Sequence, residues 1–79
     1  MDSSKLKDLL WHGCEVEFEY GSKSYVVKMI DYRSTTEYSF GPKWSNKITT
    51  EYFDLLLNRH DFGPSLSEIL KEGRYVGWC

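Results

Sequence analysis

From Cys14 to Tyr32 the chain reads CEVEFEYGSKSYVVKMIDY, and its first half alternates without a break. Glu15, Glu17 and Glu19 take one set of positions; Val16, Phe18 and Tyr20 take the other. A period of two over that length is the pattern of a strand with one buried and one wet face. Read as a four-residue loop, Gly21 to Ser24 folds the stretch into a hairpin with Tyr20 opposite Tyr25, Phe18 opposite Val27 and Val16 opposite Met29. All six apolar side chains then share a face. The same register sets Glu17 across from Lys28, an opposite-charge pair contributing about 0.2–1 kcal/mol, so two patterns agree on one alignment.

The second strand is less one-sided. Beside the inward set Tyr25, Val27 and Met29, its other face carries Val26, Ile30 and Tyr32, interrupted only by Lys28. A strand apolar on both sides is central in its sheet or covered by a second layer. The cover is either the protein's own helices or a partner, including a second copy.

The flanking segments read as follows. Leu6, Leu9 and Leu10 repeat at helical spacing within a helix over 3–12, capped by Ser3 or Ser4 and ended by Gly13. After a turn at Arg33 and Ser34, Thr35 to Phe40 alternates again and forms a third antiparallel strand, which Gly41–Pro42 stops because proline offers no ladder donor. Lys43 to Lys47 is a polar loop or a short edge strand. A second helix, Glu51 to Asn58, starts from a Thr49 or Thr50 cap and carries Tyr52, Leu55 and Leu56 on a broad apolar face. Ser65 and Glu68 have capping-box spacing directly after Pro64, with Leu66, Ile69 and Leu70 as the stripe of a third helix and Gly73 as its stop. The tail RYVGWC is apolar enough to dock on this domain or on another chain, or to add an edge strand through Tyr75 and Val76. The expected fold is α+β: an N-terminal helix, a three-stranded antiparallel meander, two C-terminal helices and a short C-terminal edge strand. Residues 1–79 are read as one small domain.

Length limits how much of this can be enclosed. A chain of 79 residues buries only about 60% of its unfolded surface. Aromatic residues make up 16% of this one, more than so small a core can hold, and Tyr and Trp are enriched in binding surfaces. The segment 32–47 collects several of them among cations. Tyr32, Arg33, Tyr38, Phe40, Lys43, Trp44 and Lys47, with Trp78 from the tail, are the candidate contact residues. The same mixture can stack bases and track phosphates, but a net charge of −2 opposes binding nucleic acid by charge alone.

The residue types that carry chemistry are sparse. His12, Cys14, His60 and Cys79 are the soft ligands, and none stands at a zinc-site spacing. Cys14 continues the phase of Val16 and Phe18, so its side chain is expected in the core, where a thiol is inert. Glu15, Glu17 and Glu19 are spaced as a solvated strand face, and neither a P-loop nor G-x-G-x-x-G occurs. No enzyme activity, cofactor or metal is therefore expected. Two cysteines fall short of the disulfide framework of small secreted domains, and no apolar signal segment precedes residue 5. Free thiols at Cys14 and Cys79 and a cytoplasmic protein are expected, with a bridge between the two as the geometrically possible alternative, and no apolar run approaches the length of a membrane span.

Two stretches carry a resemblance. Leu9, Leu10, Gly13, Glu15 to Phe18, Tyr20, Gly21, Lys23 and Tyr25, followed by Phe53, Asp54, Leu55 to Leu57, Gly63, Ser65, Leu66, Glu68 and Ile69, resemble two recurring segments of small uncharacterised proteins from Gram-positive bacteria and their phages. The matching positions are strand core, turn and cap. The resemblance implies a shared scaffold and a phage or mobile-element origin, and transfers no site residues. The functional expectation is a non-enzymatic protein that binds a host enzyme or defence factor by stoichiometric contact and inhibits it, with a homodimer also expected. A nucleotide or single-stranded nucleic acid binder and a structural assembly subunit are the alternatives.

Overall fold

The computed structural model describes residues 1–77. The chain runs through α1 (Ser3–Trp11), β1 (Val16–Tyr20), β2 (Lys23–Asp31), β3 (Thr36–Pro42), β4 (Ile48–Thr50), α2 (Phe53–Asn58), α3 (Leu66–Glu72) and β5 (Arg74–Tyr75). This is the expected α+β order, with a larger sheet than the three strands read from the sequence. Five antiparallel strands lie in the order β4-β3-β2-β1-β5, and the doubly apolar β2 occupies the centre.

The register of the first hairpin differs from expectation by two residues. Tyr20 pairs with Lys23, Phe18 with Tyr25 and Val16 with Val27, leaving only Gly21 and Ser22 in the loop. Gly21 takes a φ of +63°. A positive φ at the first residue of a two-residue turn matches the twist of the strands it joins, and glycine reaches it without strain. The expected Glu17–Lys28 pair is therefore not formed; Glu17 lies across from Val26. A slip of two keeps every side chain on its face, so the expected inner set survives the change.

β3 also runs further than expected, through Gly41 and Pro42 to their partners Val26 and Tyr25. The Lys43 N–H donates to the Ser24 carbonyl, so by alternation the Pro42 nitrogen faces the opposite edge. Pairing with β4 ends at Phe40–Ile48, so no ladder donor is needed there. β4 in turn takes Thr49 and Thr50 out of the expected helix start. The Thr50 hydroxyl accepts from the Tyr52 N–H at 3.1 Å instead, and α2 begins at Phe53 without a side-chain cap.

All three helices pack on one face of the sheet. Leu6 and Leu10 of α1, Phe53 and Leu56 of α2, and Leu66, Ile69 and Leu70 of α3 close over Val16, Phe18, Tyr25, Val27, Tyr38 and Phe40 in a single cluster. Each such side chain contributes about 1.5–3 kcal/mol on full burial. Asp2, and neither Ser3 nor Ser4, caps α1 by accepting from the Lys5 N–H at 2.8 Å. The capping box of α3 forms as read: Ser65 Oγ accepts from the Glu68 N–H at 3.2 Å, and Glu68 Oε1 from the Ser65 N–H at 3.3 Å. β5 extends the sheet beside Phe18 and Glu19. Cys14 is buried as expected but is disulfide-bonded, which corrects the free thiol read at that position; a covalent tie compensates for the small core such a chain can build. The expectations for Trp78 and Cys79 lie outside the described residues.

Candidate functional site

Among the described residues no helix packs on the opposite face of the sheet, yet its centre is not open. Glu17 is 6% exposed and Val26 5%, and Ser39 beside them is buried as well. Their cover is the β3–β4 connection, residues 43–47. It folds back over β3 so closely that a Cβ on Gly41 would stand 2.9 Å from Lys47 Cα, which is why glycine occupies that position. One interaction ties the loop to the sheet, and two more order the loop internally. Lys43 Nζ lies 2.9 Å from Glu17 Oε1, spanning from the β3 side to β1. The same ammonium sits 5.1 Å from the centre of the Trp44 ring, within cation–π range. Lys47 Nζ donates to the Lys43 and Ser45 carbonyls at 3.4 and 3.2 Å.

Between this loop and the start of β1 lies a cleft of about 510 Å³, lined by Gly13, Glu15, Glu17, Val26, Lys43, Trp44 and Lys47. Val26 of β2 forms an apolar floor. Gly13 and Glu15 stand on the β1 side, Lys43, Trp44 and Lys47 on the β3 side. Trp44 is 87% exposed, the most exposed large apolar side chain among the described residues. Its indole projects from the loop while the loop itself is pinned.

The sequence-derived contact set divides into four. Lys43, Trp44 and Lys47 meet at this cleft. Tyr32 and Arg33 are exposed at the other end of the β2–β3 hairpin, where the Tyr32 N–H donates to the Thr35 carbonyl at 2.8 Å. Six residue steps along β3 separate them from Lys43, about 20 Å at the rise of an extended strand, so 32–47 is not one surface. Tyr38 and Phe40 are corrected outright: at 5% and 1% exposure they are core residues, Tyr38 edge-on to Phe53 and Phe40 edge-on to Phe62. Their alternation with Glu37 and Ser39 carries the inner-face signal seen in β1. Trp78 lies outside the described residues. The site also contains residues that the sequence reading left as solvated strand, Glu15 and Glu17, together with Val26. The signal that could have found them was the second apolar face of β2.

Among the described residues, no group of three or more His, Cys, Asp or Glu side chains is placed to hold a metal ion. No helix among them is long and apolar enough to cross a membrane. His60 turns to Gly63 O at 2.9 Å and Glu68 Oε1 at 3.4 Å, and His12 to Asp8 O at 2.6 Å, so both serve their own loop and helix end.

The chain thus belongs to the class of small α+β proteins with an antiparallel sheet, helices on one face and a loop-bounded cleft on the other. Comparison with protein-family models, with curated proteins and with solved structures finds no match to it.

Proposed function

We propose that this chain is a non-enzymatic binding protein that acts by stoichiometric contact with another protein through the cleft beside Trp44. The observation that carries the reading is an almost fully exposed indole held on a pinned loop next to an apolar floor. Large aromatic side chains at the centre of a patch, with charges around them, are where binding energy concentrates. A fixed loop loses less conformational freedom on binding than a mobile one.

Inhibition of a host enzyme or defence factor is the form this contact takes if the chain comes from a phage or mobile element, as its resemblance implies. A nucleotide or nucleic-acid ligand is supported less. Lys43 is already paired with Glu17, and a net charge of −2 opposes a phosphate ligand. A cytoplasmic location belongs to the same proposal, and the Cys14 disulfide weighs against it, since such bonds persist mainly in oxidising compartments. Fractionation of the native cell with thiols blocked at lysis decides that point.

The test is affinity purification from native or host cells with native mass spectrometry, using the wild type and Trp44→Ala. A partner at fixed stoichiometry that is lost with Trp44→Ala supports the reading. A partner retained by the variant moves the contact away from this cleft.

A further inference from the structure

The cleft and its rim are complementary to themselves. On one patch the chain carries a projecting indole, a hollow large enough to receive one, and two carboxylates with two ammonium groups. The signs are also separated in space. Exposed Glu15 stands on the β1 side; Lys47 and Trp44 stand on the β3 side; Val26 lies between them on the central strand. Glu17 and Lys43 already neutralise each other at 2.9 Å across the cleft. The charges left to face outward are thus Glu15 on one wall and Lys47 on the other.

We infer that the occupant of this cleft in the free protein is a second copy of the chain, docked about a two-fold axis that runs along the cleft. Such an axis brings each wall against the partner's opposite wall. Trp44 of one copy enters the space beside Gly13 and Glu15 of the other, where the absence of a side chain at Gly13 leaves room: an added Cβ would meet nothing within 4 Å. Glu15 then faces Lys47 of the second copy, twice over. Balanced signs on the patch remove the like-charge repulsion that a net charge of −2 per chain would otherwise impose on self-contact. The inference rests on the reading of this cleft as a protein-contact surface and names its occupant. A target protein that uses the same indole competes with the dimer.

Sedimentation velocity on the full chain tests it, from about 1 to about 200 µM at low and moderate salt. The wild type is expected to shift from monomer to dimer within that range. Trp44→Ala is expected to weaken the dimer about 30-fold or more, as removal of a central anchor does, with an unchanged circular-dichroism spectrum. Glu15→Lys and Lys47→Glu are each expected to weaken it, and the double exchange to restore it, because only a Glu15–Lys47 contact between copies is repaired by swapping both signs. A wild type that remains monomeric throughout overturns the inference. So does a dimer indifferent to Trp44→Ala, or a double exchange no better than the single ones. None of these results touches the target-capture experiment, which stands or falls on Trp44-dependent partner recovery alone.

Discussion

The two faces of this sheet are made by the same strands and differ in what covers them. On the inner face three helices bring leucine and isoleucine stripes onto Val16, Phe18, Tyr25, Val27, Tyr38 and Phe40. The cover is apolar, comes from three separated parts of the chain, and interlocks with its neighbours. The outer face is closed at its centre by the short loop 43–47, tied to β1 by one ion pair and ordered internally by a cation–π contact and hydrogen bonds to its own carbonyls. Both coverings bury residues nearly completely. Only the inner one does so with groups that gain from leaving water; the outer one places a carboxylate and an ammonium at the boundary, where attraction is partly offset by desolvation. Stability is therefore concentrated on one face, and the other is free to present a contact residue.

That contrast can be broken by substitution. The largest effect belongs to the inner face: Phe40→Ala is expected to cost about 3–5 kcal/mol, seen in urea unfolding as a large fall in midpoint or as failure to fold. A loss under about 1 kcal/mol would mean that the helix layer is looser than its burial indicates. Gly41→Ala comes next, because the added methyl displaces the Lys47 backbone. Overpacking of this kind costs about 1–3 kcal/mol, and contact through Trp44 should weaken together with stability, since the loop that carries it must lift. Lys43→Met removes the ammonium that faces the buried Glu17 carboxylate and is expected to cost about 1–3 kcal/mol, read as a lower midpoint in urea unfolding. A cost under about 0.5 kcal/mol would show that the attraction of the pair does no more than offset its own desolvation.

Ser65→Ala removes the accepting half of the α3 capping box and is expected to cost about 1 kcal/mol, read from the same unfolding curves, with no change in any Trp44-dependent contact. The smallest effect on folding belongs to Trp44→Ala, within about 0.5 kcal/mol of the wild type, although the effect on binding is the largest of the series. A substantial loss of stability there would make Trp44 a structural residue of the outer cover and remove it as an anchor.

Much of the fold could be read from residue order because the signals are local. Alternation in 15–20 and 35–40, leucine stripes in 6–10 and 66–70, and the Ser65–Glu68 spacing each depend on a few neighbouring positions, and each produced its element. Errors arose where the pattern admits more than one answer. A four-residue and a two-residue hairpin loop put the same side chains on the same faces, so alternation cannot choose between them; the backbone of Gly21 does. The candidate contact set erred differently. It grouped aromatic residues by proximity in sequence, whereas a hairpin sends the two ends of a strand to opposite poles and its alternate residues to opposite faces.

What this sequence determined by itself is thus the kind of elements, their order and the apolar face of each, since backbone propensity and side-chain period act within a few residues. Tertiary structure alone decided that β4 widens the sheet, that the expected C-terminal edge strand pairs with β1, and that residues 43–47 fold over β3 to meet Glu17. Those outcomes depend on contacts between segments far apart in the chain, whose energies are realised only once the whole sheet is assembled. The exposure of Trp44 and the burial of Tyr38 and Phe40 follow from the same cause: three aromatic residues within seven positions, separated by which side of the finished sheet each one faces.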